Sequence, residues 1–115
     1  MRIEIKGRNT EVTDEIRERV AKQFARVAPQ VSDLAQLEVV LREEKNPAIT
    51  DRYVAEANLF LKGATLHAEE ASPDMLHSIH ELAEDIRRQV KRHREKRRAR
   101  AKTRRAVGGL RGREA

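Results

Sequence analysis

Hydrophobic residues recur along the chain in two rhythms, and each change of rhythm marks a new element. From Arg2 to Lys6 apolar and charged residues alternate, with Ile3 and Ile5 on one side, Glu4 and Lys6 on the other, and Gly7 behind them. A period of two predicts a short half-buried strand. The spacing then lengthens: Ile16, Val20, Phe24 and Val27 fall at i, i+4, i+8 and i+11. This is the apolar stripe of an amphipathic helix ending near Pro29. Thr13 stands in front of it as an N-cap whose hydroxyl can accept from a first-turn N–H, and Asp14 and Glu15 follow where the helix dipole favours anions. Arg19, Lys22 and Arg26 share a different face of the same helix.

Alternation returns between Leu34 and Glu43, where Leu37, Val39 and Leu41 predict a second strand. Glu44 to Asp51, containing Asn46-Pro47, reads as a loop. Tyr53, Ala55, Ala57, Leu59 and Leu61 alternate through a long third strand, Lys62-Gly63 is the expected hairpin turn, and Leu66 and Ala68 alternate through a fourth. Ser72-Pro73-Asp74 predicts a helix start with Ser72 as N-cap, Pro73 at the first helical position and Asp74 in the first turn. Met75, Ile79, Leu82, Ile86 and Val90 form its apolar stripe. Beyond Val90 the stripe stops, and no large apolar residue follows from Lys91 to Arg105, so a continuing helix would leave the body as a charged rod or fray. Val107 to Gly112 reads as a flexible terminus. The order is β-α-β-β-β-α, an α+β fold with two helices on one face of a four-stranded sheet.

Composition narrows what such a domain can do. The chain has 115 residues, no Cys, no Trp and three aromatics, Phe24, Tyr53 and Phe60. A disulfide scaffold, a thiolate metal site and a Cys nucleophile are excluded. The apolar runs are far too short to span a bilayer, and the N-terminus lacks the apolar core of a signal peptide, so a cytoplasmic protein without membrane contact is expected. Charge is distributed unevenly. Residues 1–86 carry 11 basic and 17 acidic side chains, whereas residues 87–115 carry 14 basic and 2 acidic, net −6 against net +12. An acidic body with a basic arm is the asymmetry of a chain that meets a polyanion.

Candidate chemistry is correspondingly one-sided. His77 and His80 lie one helical turn apart, yet a zinc site needs further ligands and a supporting shell that the sequence does not specify, and no metal or other cofactor is expected. Glu43-Glu44 and Glu69-Glu70 are adjacent on strands and point to opposite faces, so neither pair converges on a substrate. With no nucleophile constellation, phosphate loop or dinucleotide fingerprint present, no enzymatic activity is expected. The basic residues, in contrast, are ordered. Arg87, Lys91, Arg94 and Arg98 step by four, three and four, flanked by Arg88 and Arg92, which sets cations along the last helix about 5 to 6 Å apart. Guanidinium groups bind phosphate bidentately. With so few aromatics, base stacking cannot dominate, and recognition of phosphate, 2′-OH and shape favours structured RNA.

These residues also match a known family. Ile5-Lys6-Gly7-Arg8-Asn9, Glu11-Val12-Thr13-Asp14, Arg17-Glu18, Val20 and Phe24-Ala25-Arg26 resemble the first strand and helix of the ribosome hibernation promoting factor and ribosome-associated inhibitor A family. Val39-Val40-Leu41, Glu44-Lys45, Leu66-His67-Ala68 and Asp74-Met75 continue the resemblance, and the last helix, with Arg88-Gln89-Val90, Arg92-His93-Arg94 and Lys96, resembles the family's basic signature. Departures stand at Gln23, Leu76, His80 and Asp85. The resemblance spans about residues 1–98 and implies a ribosome-binding domain similar to double-stranded RNA binding domains. Residues 99–115 are then a basic, flexible tail or the start of a linker. It implies a non-enzymatic factor that binds 16S rRNA of the small (30S) ribosomal subunit, in the channel between head and body, competes there with mRNA and tRNA, and holds ribosomes inactive under stress and in stationary phase, with ribosome dimerisation as an associated property. Lys22 and Arg26 from the first helix and Arg88, Arg92, Arg94 and Lys96 from the last are the phosphate contacts it implies, beside Arg87, Lys91 and Arg98 from the spacing. The alternative is a generic structured-RNA binding protein or RNA chaperone.

Overall fold

The structure is a computed structural model that describes residues 1–114, with side chains described through Thr103. Strand β1 (Arg2–Arg8) leads into helix α1 (Asp14–Phe24) and a single 3-10 turn (Ala28–Gln30). Strands β2 (Gln36–Glu43), β3 (Tyr53–Leu61) and β4 (Ala64–Ser72) follow, and helix α2 (Met75–Glu114) closes the order. The sheet runs β1-β2-β3-β4. β1 lies parallel to β2 across the α1 crossover, and β2, β3 and β4 form an antiparallel meander. This is the expected α+β architecture.

The period of two decides which face is covered. Leu37 pairs with Leu59, Val39 with Ala57 and Leu41 with Ala55, and all six are buried. Ile3 and Ile5 extend that inner face through β1, and Ala68 through β4. Against it lie Val20, Phe24 and Val27 from the α1 segment and Met75, Ile79, Leu82, Ile86 and Val90 from α2, in one continuous core. Fully burying five such side chains contributes on the order of 8 to 15 kcal/mol before chain entropy is counted, an upper bound because unfolded chains already bury part of this area. Phe24 is fully buried and Tyr53 packs against the core, whereas Phe60 at the end of β3 is 42% exposed.

Local signals behave as their chemistry requires, with one displacement. Thr13 caps α1 by accepting from the Ile16 N–H at 3.2 Å. Gly63 holds the β3–β4 turn at φ +77°, a conformation that L side chains disfavour. In the β2–β3 loop Asn46 accepts from the Ala48 N–H at 3.0 Å, folding the chain over Pro47. The cap of α2 is Asp74 and not Ser72: the Asp74 Oδ2 accepts from His77 N–H at 3.3 Å and its carbonyl from Ser78 N–H at 3.0 Å. Pro73 thus precedes the cap. Ser72 cannot serve because it ends β4, in register with Tyr53.

Ser72 instead joins a buried hydroxyl pair. Its Oγ lies 2.6 Å from the Ser78 Oγ, and the Ser78 hydroxyl donates to the Tyr53 carbonyl at 2.7 Å. Ser78 is wholly inaccessible, so this small network ties the start of α2 to β3 and β4 where no apolar contact could satisfy the same groups. Beyond Val90 the α2 backbone continues through residue 98, the boundary expected from the sequence, to Glu114. The flexibility expected of Val107 to Gly112 lies outside the residues whose side chains are described. No helix among the described residues is long and apolar enough to cross a membrane.

Two substitutions test these constraints by chemical denaturation. Ser78→Ala removes the donor to Tyr53 and should cost about 1 to 3 kcal/mol with an unchanged denaturant slope. Gly7→Ala should cost a similar amount, about 1 to 3 kcal/mol of overpacking, because a Cβ there would meet the Thr10 carbonyl oxygen at 2.5 Å and Val12 Cγ2 at 2.9 Å.

Candidate nucleic-acid interface

Helix α1 and the turns that follow it lie beside α2, and three polar rungs join the two segments. The His80 Nδ1 lies 3.1 Å from the Gln23 Oε1, Arg26 Nη1 lies 3.9 Å from Glu84 Oε1, and Arg94 donates to the Gln30 Oε1 at 2.9 Å. The partners advance together along both segments, so the two helices run in the same sense. Glu84 also accepts from Arg87 at 3.0 Å. One carboxylate therefore faces a guanidinium from the turn after α1 and another from α2.

This arrangement sorts the nine cations singled out in the sequence. Arg87 and Arg94 lie on the flank of α2 that faces the α1 segment, and Arg26, in the turn after α1, faces them. Lys91 and Arg98 continue that flank at helical spacing. Lys22 stands in the last turn of α1, which ends at Phe24 and not near Pro29, so Arg26 lies in the turn beyond it. Arg88 and Arg92 sit further round α2, and Arg88 is close enough to Glu70 of β4 to favour its ionised form. Lys96 stands one turn beyond Arg92, at i+4, and continues that side of the helix away from the Arg87 row. The structure thus gives one main cationic row with a second shoulder of Arg88, Arg92 and Lys96. Lys22, Arg88, Lys91, Arg92, Lys96 and Arg98 make no ion pair among the described residues.

The outer face of the sheet is arranged differently. Arg42 on β2 lies 2.7 Å from Glu69, 3.4 Å from Glu44 and 3.5 Å from Glu56. The hydrogen bond to Glu69 raises the Arg42 pKa further above its ordinary value. Arg52 is paired with Glu43 at 3.0 Å. Arg42 and Arg52 are matched by carboxylates within the fold, so an approaching phosphate gains less from them than from the α2 flank.

Several contributors were not legible beforehand. Gln23, Gln30, His80 and Glu84 reach across between helices 57 and 64 residues apart in sequence, and only the Glu84–Arg87 spacing of three is a local signal. His77 and His80 do not converge: His77 Nε2 faces Glu81 at 3.9 Å, while His80 reaches to α1. At the end of the sheet a groove of about 630 Å³ is lined by Leu34, Phe60 and His93 with Arg94 and Arg97. Leu34 is 89% exposed beside it.

Fold and surface together define a class: a small α+β domain whose two parallel helices cover one sheet face and present most of its unmatched positive charge. The chain belongs to the Sigma 54 modulation protein / S30EA ribosomal protein family, which it matches over residues 3–98. It is 34% identical over 96 residues to the ribosome hibernation promoting factor of Salmonella typhimurium, covering 84% of this chain and 96% of that one. The factor of the same name from Escherichia coli is 32% identical over the same share of both chains. Among solved structures, the N-terminal domain of Protein Y from Thermus thermophilus superposes with a TM-score of 0.71 at 31% identity, covering 81% of this chain and 99% of that one. A ribosomal subunit interface protein from Coxiella burnetii, 20% identical with a TM-score of 0.70 over 83% of this chain and 99% of that one, shares the fold. The family resemblance in the sequence is thereby established.

Glu70 offers a test of the electrostatics beneath Arg88. Burial first, then the hydrogen bond and repulsion from Asp85 and repulsion from Glu81, raise its pKa above the ordinary 4.5, with Arg88 opposing. A raised acid favours folding while protonated and loses that contribution as pH rises through the raised value. Glu70→Gln should therefore be more stable than the parent at neutral pH, with the gain vanishing as pH falls below the ordinary carboxylate range; thermal melts across that interval check it.

Proposed function

We propose that the protein is a ribosome hibernation factor that binds 16S rRNA of the small (30S) subunit in the mRNA and tRNA channel between head and body, blocking translation under stress and in stationary phase. Family membership and the names of its relatives support the ribosome as partner. The observation that carries the mode of binding is the cationic flank shared by α1 and α2, set against an outer sheet face whose central arginine is neutralised by three carboxylates. Binding is non-enzymatic. The row supplies phosphate contacts at helical spacing, and the helix face is too poor in aromatic groups to read bases by stacking. Steric occupation of the channel then excludes mRNA and tRNA. In this reading residues 1–98 are the ribosome-binding unit, residues 99–115 are a basic flexible tail or the start of a linker, and the site of action is cytoplasmic.

Binding to isolated small subunits should be steeply salt-dependent and mutually exclusive with tRNA. Reversing Arg88, Arg92 and Arg94 to Glu should lower the slope of log K against log salt by about 2 to 3, from roughly 0.7 to 0.9 per lost phosphate contact. The same triple reversal at Arg2, Lys6 and Arg8, on the outer sheet face, should leave the slope nearly intact. Undiminished tRNA occupancy at saturating protein would overturn the channel assignment. Binding to free duplex RNA as tight as to the subunit would favour a generic structured-RNA binder.

A further inference from the structure

Glu84 is the only carboxylate among the described residues that bridges α2 and the segment of α1 and its following turn. Its two oxygens face different partners: Oε2 accepts from Arg87 at 3.0 Å, and Oε1 lies 3.9 Å from the Arg26 guanidinium, an ion-pair distance. On either side of this charged rung the links are neutral acceptors, Gln23 to His80 and Gln30 to Arg94. Two guanidinium groups, one from the turn after α1 and one from α2, thus converge on a single anionic point.

We propose that this point is a phosphate-binding site for the RNA backbone, that Arg26 and Arg87 are its two arms, and that Glu84 occupies it in the unbound protein as a competing internal anion. The inference rests on the RNA-binding reading above and names the residue that sets its threshold. A phosphate diester presents two non-bridging oxygens, one to accept from Arg87 as the carboxylate does and one to draw in the exposed Arg26 guanidinium, which reaches only ion-pair distance from Glu84. The site is open to such an exchange: the Arg26 and Arg87 side chains are 68% and 43% exposed, and Glu84 is 24% exposed. Ion pairs this exposed are weak, so a phosphate can displace the carboxylate.

Displacement costs an isolated phosphate most of what it gains. A phosphate in an RNA strand is held at the same time by Lys91, Arg94 and Arg98 along the row, and the neighbouring contacts carry it past the competitor. Glu84 therefore discriminates in favour of an extended, correctly spaced polyanion over free anions and short fragments. Removing it should tighten binding while relaxing that preference.

The test compares Glu84→Gln with Glu95→Gln, which deletes the same charge from an exposed position on the same helix that makes no ion pair among the described residues. Two probes are used on the full chain, a short RNA duplex by fluorescence anisotropy and inorganic pyrophosphate followed through the arginine Nε–H resonances. Glu84→Gln should bind duplex about two- to fivefold more tightly, the range set by exposed ion pairs. Pyrophosphate should shift the Arg26 and Arg87 signals at lower concentration than in the parent. Adding Arg26→Ala or Arg87→Ala should erase the gain. Equal tightening by Glu84→Gln and Glu95→Gln would overturn the proposal as a general charge effect. Weaker binding by Glu84→Gln together with a lower melting temperature would overturn it by making Glu84 a structural clamp. If the variants follow the expected pattern on duplex and pyrophosphate but no form binds small subunits, the ribosome assignment fails and the phosphate site stands. Retained subunit binding with no difference between the two variants removes the phosphate site alone.

Discussion

Everything in this molecule depends on one helix being two things at once. The first four turns of α2 bury Met75, Ile79, Leu82, Ile86 and Val90 against the sheet, and the rest of its circumference carries the basic arm. Because the apolar stripe fixes the helix about its own axis, it also fixes which cations face α1, which form the shoulder over β4 and which point away. Hydrophobic packing thereby determines electrostatic geometry. The Ser72–Ser78–Tyr53 network sets the remaining degree of freedom, where the helix begins along the sheet.

The acidic body has a role beyond offsetting charge. On the outer sheet face Arg42 is enclosed by Glu44, Glu56 and Glu69, and on the β4 side Glu70, Asp85 and Glu81 crowd together below Arg88. Carboxylates therefore line the outer sheet face and the side of α2 that overlies β4. A polyanion approaching at random meets repulsion or neutralised cations over most of the domain and attraction along one strip, which orients it before contact.

Much of this was legible in the sequence because it was encoded locally. The period of two in β3 and the step of four, three and four in α2 name their buried residues directly, and all five stripe positions of α2 are in the core. Arg87, Lys91, Arg94 and Arg98 could be read as a row for the same reason. The cap of α2 was displaced by two residues because Ser72 satisfies the local signature but is held by its pairing with Tyr53 across the sheet. Ser78 gave no local sign of its importance, since its value lies in a strand carbonyl 25 residues away. The rungs between α1 and α2 were invisible for the same physical reason: glutamine and histidine acquire a role only when a distant partner is brought alongside. Lys96 entered through the family's basic signature, and its helical angle sets it with Arg88 and Arg92 and not with the Arg87 row.

The inner face of the sheet beneath α2 is floored by alanines, Ala55, Ala57 and Ala68, so the helix rests close to the backbone of β3 and β4. Past Val90 no apolar residue of α2 among the described residues enters the core, the last tie to the body being Arg94 to Gln30, and the distance from Val90 to Thr103 is about 20 Å of helix. A larger side chain at any of the three alanines would tilt this lever, and a tilt of roughly 15° would move its end by about 5 Å, close to one helical turn. Positions wholly shielded from solvent, and from any partner, thus set the aim of the charges outside. Selection for where the arm points would act on the size of methyl groups in the core as strongly as on the arginines themselves.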